Sequence, residues 1–270
     1  MSIILGIDVG GSTTKVVGLK DKEPFGMLQV KAGDQITSLY GAIGNFLRGH
    51  HVDLGEVSAF SLTGVGASFI SEQIYGIKTL KVNEFTAIGH GALLLSGLSE
   101  ALVVSMGTGT AFVRAGKGFA ERVGGSGIGG GTILGLASQL LGKNDIDAIL
   151  ALAQLGKLEN VDLTVRDIVG HDIPSLASNL TAANFGKIKS TASESDIALG
   201  IINMVFQTIG MLAVFAMRND PIQNVVLTGT LTTFPQASSI LTPFSKLSDM
   251  NFIIPKNAEF ATALGATLVQ

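Results

Sequence analysis

An apolar strand that runs into a glycine turn and doubles back as a second strand occurs twice in this chain, and that repetition limits the possible fold more than any other feature. The first copy is Leu5-Gly6-Ile7-Asp8-Val9-Gly10-Gly11-Ser12-Thr13, and the second is Val103-Val104-Ser105-Met106-Gly107-Thr108-Gly109-Thr110. A third strand-to-glycine turn follows at Val225-Val226-Leu227-Thr228-Gly229-Thr230. Two like hairpins far apart in sequence predict an internally duplicated fold, each half offering one hairpin to a shared cleft. Glycine permits positive φ angles and close backbone approach, so successive N–H groups can converge on one anion. Any one of these turns is compatible with an ordinary hairpin. Three together, with Asp8 and Lys15 on the first, predict a phosphate-binding cleft.

The 270 residues leave room for two lobes and not for three domains. Residues 3–9, 14–19 and 27–30 read as a β-meander. Ile36, Leu39, Tyr40, Ile43, Phe46 and Leu47 recur at helical spacing behind Asp34, a candidate cap. A strand at 57–62, the turn Thr63-Gly64-Val65-Gly66, a short helix, a strand at 77–82 and a helix at 84–95 complete the expected first lobe. The boundary is expected near Ser99, giving lobes 1–98 and 99–270. The second lobe is predicted to be rich in helix, at 132–141, 146–155, 197–217 and 260–269. The fold class is therefore α/β.

Composition removes several functions. With 46% hydrophobic and 14% charged residues the chain should bury a large core. A net charge of -3 without a basic stripe argues against nucleic acid as a partner. The absence of cysteine excludes disulfides, thiolate zinc sites, iron–sulfur clusters and a thiol nucleophile, and fits a reducing, cytoplasmic location. The opening residues lack a basic region and place Asp8 early, so they read as a strand and not a signal peptide. Residues 197–217 are uncharged and long enough to cross a bilayer. Their Asn203, Gln207 and Thr208, with no Trp or Tyr, predict a core helix and no membrane partner.

Neither G-x-x-x-x-G-K-[ST] nor a defensible Rossmann turn is present; Gly125-Ser126-Gly127-Ile128-Gly129-Gly130 lacks the strand–turn–helix setting. A carboxylate at the mouth of an anion-binding turn is repulsive unless a cation lies between, and MgATP supplies one; Asp8 in that role competes with Asp8 as a simple turn cap. Gly130-Gly131-Thr132-Ile133-Leu134 opens a predicted helix whose N-terminus favours an anion, or else is a glycine linker. Glu84 follows Asn83, a good helix cap, at a strand's carboxyl end where clefts form; it is either a general base or a first-turn acid favoured by the helix dipole. Arg122 offers a rigid fork of donors, unless it pairs with Glu121 at the surface. His50, His51, His90 and His171 show no metal-ligand spacing.

Gly6–Lys15 with Val104–Thr110 resembles the two phosphate hairpins of the actin/hexokinase/Hsp70 superfamily. Val82-Asn83-Glu84-Phe85, the run from Arg122 to Gly131, and Leu180-Thr181-Ala182-Ala183-Asn184-Phe185-Gly186 resemble, in the same order, segments of type II pantothenate kinases. The resemblance implies a two-lobed, ribonuclease H-like fold around a nucleotide cleft and ATP-dependent phosphorylation of pantothenate. It implies that Asp8 binds Mg²⁺ through water, and that Lys15 with the Gly10, Gly11, Ser12, Thr13 and Thr14 backbone holds the ATP phosphates. Thr108, the Gly130–Leu134 stretch and Thr230 would complete the nucleotide site. Arg122 would contact pantothenate, whose carboxylate suits a bidentate fork, with Ser105, Thr108 and the Thr181, Ala182, Ala183 turn beside it. Glu84 would be the catalytic base. A homodimer is implied too, and some members lay a partner tyrosine over the substrate; here 234–248 has no Tyr, and Phe244 is the nearest aromatic.

Three rivals remain at this level. A sugar kinase of the same superfamily would use an acid–base Asp. An ATP-hydrolysing activator of a radical dehydratase shares the opening pattern but needs cysteines for its cluster. A non-catalytic nucleotide sensor would bind ATP without turnover.

Overall fold

The computed structural model describes residues 2–169 and 181–269; His171 and Leu180 lie outside them. The first sheet comes from β1 (Ile3–Val9), β2 (Thr13–Lys20), β3 (Glu23–Lys31), β4 (Val57–Thr63) and β5 (Thr79–Lys81), with α1 (Gln35–Gly49) between β3 and β4. Then α2 (Glu84–Ser96) leads to β6 (Ala101–Met106), β7 (Thr110–Gly116) and β8 (Phe119–Ser126). Next come α3 (Gly130–Leu141), α4 (Ile146–Ala153), β9 (Leu163–Thr164), α5 (Val165–Val169), β10 (Thr181–Ala183) and α6 (Glu194–Ala216). The chain ends through β11 (Asn224–Thr228), α7 (Gln236–Leu241), α8 (Phe244–Ser248), β12 (Asn251–Ile253) and α9 (Ala261–Ala266).

The two five-stranded sheets have one topology. Their orders are β3-β2-β1-β4-β5 and β8-β7-β6-β11-β12. In each, three antiparallel strands form a meander, and two later strands join in parallel at its first member. The equivalence reaches single residues. Gly64 ends β4 at φ 86, ψ 166 and Gly229 ends β11 at φ 89, ψ 174, and each opens a 3-10 turn. A Cβ on Gly64 would lie 2.7 Å from the Val9 carbonyl oxygen, and one on Gly229 would lie 2.5 Å from that of Met106. Each glycine therefore lets a parallel strand close onto the end of its hairpin's first strand.

Apolar periodicity explains most elements. α1 starts at Asp34, whose carboxylate accepts from the Thr37 amide at 2.8 Å, and buries Leu39, Ala42, Ile43 and Phe46 against Leu5, Ile7 and Phe60. Each large side chain of that set contributes roughly 1.5–3 kcal/mol. α6 is a core helix: Ile201, Ile202, Val205, Phe206 and Ile209 are fully buried among Leu102, Val104, Ile133 and Leu227.

Several elements differ from the sequence expectation. The short helix after Gly64 is a 3-10 turn, Val65–Phe69. The strand expected at 77–82 is reduced to Thr79–Lys81, because the Thr79 hydroxyl accepts from the Ile74 amide and donates to the Ile77 carbonyl, holding a turn there. The edge strand β8 was not expected, since Glu121, Arg122 and paired glycines hide its alternation. β8 does precede α3, but it runs antiparallel to β7, so no Rossmann unit arises.

Two helices cross between the sheets. α2 follows the first sheet in sequence but packs on the second, with Ile88 and Ala92 against Val103, Val113 and Val226. α9 follows the second sheet but packs on the first, with Ala263 and Leu264 against Val17 and Leu19. The two helices meet at glycines: a Cβ on Gly91 would lie 1.8 Å from the Ala261 carbonyl oxygen, and one on Gly265 would lie 1.8 Å from that of Ala87.

Candidate active site

Between the hairpins lies a cavity of about 680 Å³. Asp8 and Lys15 are cross-strand partners in the β1–β2 ladder and both reach it. Asp8 is backed by Gly64, where a Cβ would lie 2.5 Å from its Oδ1. Desolvation by burial raises the Asp8 pKa against the opposing pull of Lys15. Lys15 is 5% exposed, and burial lowers its pKa while Asp8 and Glu259 act the other way.

Glu84 begins α2, whose cap Asn83 accepts from the Phe85 and Thr86 amides at 3.0 and 3.2 Å. Burial raises the Glu84 pKa, and the nearby Asp8 charge raises it further. Such a carboxylate is a stronger base than a solvated one. Arg122 enters from β8, with its guanidinium carbon 5.7 Å from the centre of the Phe85 ring. Among the described residues, the side chains of Asp8, Lys15, Glu84 and Arg122 make no mutual or external hydrogen bond or close ion pair. Four charged groups of both signs thus converge unpaired on one cavity, an arrangement that structural ion pairs do not leave.

The hairpins use glycine differently from the expectation. None of Gly10, Gly11, Gly107 and Gly109 takes a positive φ. At two of them glycine is required by proximity: a Cβ on Gly10 would lie 2.8 Å from the Thr13 carbonyl oxygen, and one on Gly109 would lie 2.9 Å from that of Ser126. The Gly10 amide donates to Thr13 at 3.0 Å and the Gly107 amide to Gly109 at 2.9 Å, which tightens both tips. Across the cleft the Ser12 and Thr108 hydroxyls meet at 3.1 Å. Lys31 and Asp145 add an exposed pair at 3.3 Å between β3 and the cap of α4.

Most expected site residues line the cavity: Asp8, Gly10 through Thr13, Lys15, Glu84, Ser105, Thr108, Arg122 and Thr230. Thr14 is wholly buried inside β2 and serves the hairpin's frame. Gly130, Gly131, Thr132, Ile133 and Leu134 do not line it. Their backbone amides already have partners within the protein. The Gly130 and Gly131 amides donate to Gly107 and Thr108, both at 2.9 Å, and those of Thr132 and Ile133 donate to Gly129. This stretch braces the second hairpin from behind.

Thr181, Ala182 and Ala183 form a strand, not a turn, and also lie outside the cavity lining. Thr181 belongs to a polar cluster around the buried Asp162, which accepts from its hydroxyl, from Asn203 Nδ2 at 2.8 Å and from the Phe185 amide at 2.9 Å. Residues 181–186 are thus tied through Asp162 to α6. Phe244 is buried against Phe252 and Gly210 and does not roof the cavity. His50 packs against Phe46, with ring centres 4.4 Å apart and planes tilted at 45°. Among the described residues no cluster of three or more His, Asp or Glu side chains could ligate a metal directly.

Sequence reading missed Phe85, Thr262 and Gly125 through Gly127 as lining residues. Phe85 stands beside Glu84 and was within reach of inference. Thr262 arrives on α9 only because the last helix returns to the first sheet.

A duplicated meander-plus-crossover sheet with two glycine hairpins facing one cleft defines the class: this is a two-lobed ATPase fold of the actin/hexokinase kind. Solved structures agree on the fold. Component A of the Acidaminococcus fermentans (R)-2-hydroxyglutaryl-CoA dehydratase superposes with a TM-score of 0.69 at 18% identity, over 99% of this chain and 97% of that one. The ROK hexokinase of Thermus thermophilus gives 0.57 at 15% identity, over 98% and 97%. The chain belongs to the Fumble family, whose model matches residues 97–268. It is 25% identical to a protein of Bacillus cereus strain G9842 over 99% of this chain and 98% of that one, and 28% identical to one of Staphylococcus haemolyticus over 97% and 98%; both are named type II pantothenate kinase.

Proposed function

We propose that this protein phosphorylates pantothenate with ATP, giving 4'-phosphopantothenate and ADP, the first step of coenzyme A biosynthesis. The observation that carries the reading is the convergence of unpaired Asp8, Lys15, Glu84 and Arg122 on the glycine-lined cavity. The full-length relatives named type II pantothenate kinase support the choice of acceptor.

Lys15 and the tips of the two hairpins receive the ATP phosphates. Asp8 fits a magnesium ion: its carboxylate lines the cavity, and among the described residues no group of three or more acids or histidines forms a direct ligand set, so Asp8 would hold the ion through water. Bound there, the ion would neutralise phosphate charge. Arg122 holds the pantothenate carboxylate as a bidentate fork, and Ser105 and Thr108 border it. Glu84 accepts the proton of the primary hydroxyl as its oxygen bonds the γ-phosphorus and the bond to the bridging oxygen of ADP breaks. Because the transition state is loose, Glu84 mainly orients the hydroxyl and takes its proton late. Thr230 borders the nucleoside side of the cleft. A homodimer and a cytoplasmic location are part of the same reading, supported by the family alone.

The test compares ADP release from MgATP with pantothenate, with N-acetylglucosamine and with neither. Release stimulated by pantothenate alone is expected. Stimulation by the sugar alone, or equal release in all three, contradicts the reading.

A further inference from the structure

We infer that Phe85 is a positioning residue for the substrate carboxylate: its ring holds the Arg122 guanidinium over the cavity, so one short segment sets both the base and the anion anchor. The inference rests on the reading that Arg122 binds that carboxylate.

Arg122 stands on an edge strand and is exposed, and among the described residues nothing lies in ordinary hydrogen-bonding range to fix so flexible a side chain. One feature holds it and a second leaves it room. Its guanidinium carbon is 5.7 Å from the Phe85 ring centre, within the range of a cation–π contact. On its own strand Gly125 leaves the space it occupies, since a Cβ there would lie 2.8 Å from Arg122 Nη2. A contact with a ring face uses none of the guanidinium N–H groups, so the whole donor fork remains for an anion.

Phe85 is suited to the task because it is anchored at both backbone and ring. Its amide is held by the Asn83 cap at 3.0 Å, and its ring packs on the core formed by Ile88, Val103 and Val113. It is also the next residue after Glu84 and lines the same cavity. The separation between base and guanidinium is thereby tied to one helix terminus, which sets the span between the substrate's reacting hydroxyl and its carboxylate.

The test is a double-mutant cycle on the purified enzyme with Phe85→Leu, Arg122→Ala and the pair, reading KM for pantothenate with KM for MgATP as the internal reference; Phe85→Tyr retains the ring. Phe85→Leu should raise KM for pantothenate about two- to fivefold, the size of an exposed cation–π contact, leave KM for MgATP in place, and add nothing in the Arg122→Ala background. Phe85→Tyr should keep the parent value. If Leu at this position prevents folding, Phe85→Met carries the same comparison. Unchanged KM values, equal rises for both substrates, or full additivity with Arg122→Ala would overturn the inference. If Arg122→Ala itself leaves KM for pantothenate unchanged, it is the reading of Arg122 that fails.

Discussion

Glu84 is where one substitution separates a catalytic acid from a structural one. Glu84→Gln keeps size and hydrogen bonding while losing basicity, so kcat should fall about 10²-fold or more with KM for MgATP little changed. A first-turn acid serving only the helix dipole would instead cost about 0.3–1 kcal/mol of stability and leave turnover intact. The pKa direction adds a signed expectation. Raised by burial and by Asp8, Glu84 keeps its proton to higher pH than a solvated glutamate, so the acid limb of the kcat/KM profile, which reports the free enzyme, should lie above that of a solvated glutamate. The folded state then binds more protons than the unfolded one between 4.5 and the raised value, and stability from this group declines as pH rises through that window. The Gln variant, lacking that dependence, should melt no lower than the parent at neutral pH. Arg122→Lys should raise KM for pantothenate far more than for MgATP, since an ammonium cannot reproduce a planar fork; equal effects would assign Arg122 to the nucleotide. That Asp8, Lys15 and Glu84 would face one cleft was legible because the first two sit on a glycine hairpin and the third follows a helix cap, whereas Arg122 came from the family resemblance. The packing of Thr181 around Asp162 was not legible, because Asp162 is distant in sequence and its burial is a tertiary fact.

At the scale of elements, glycine does more for the site than its hairpins suggested. Gly64 and Gly229 hold equivalent left-handed positions, yet only Gly64 backs a charged cavity residue. Alanine at either strains the backbone by roughly 1–3 kcal/mol. Gly64→Ala should also displace Asp8 and weaken magnesium-dependent turnover more than Gly229→Ala at matched stability, measured as kcat against free Mg²⁺. The strand-to-turn pattern at both places was readable; which glycine touches the acid was not. The helix crossing offers a second check. Gly91→Ala drives a methyl group into the Ala261 backbone, an overpacking that should cost about 1–3 kcal/mol and lower Tm by several degrees.

Over the whole molecule, duplication was visible from two hairpins, and the matching sheet orders extend it to every strand of both sheets. What the chain concealed is the exchange of α2 and α9, because an apolar helix face does not declare which sheet it will cover. That exchange brings Glu84 on α2 opposite Asp8 on β1, and it places Thr262 in the cleft. The site is therefore a property of both halves together. The most direct measurement of the central claim is mass analysis of the product formed from pantothenate and MgATP. A phosphate on the primary hydroxyl, made by the parent, abolished by EDTA and reduced at least about 10²-fold in rate by Glu84→Gln, is the expected result. ATP hydrolysis with pantothenate left unmodified would contradict the account.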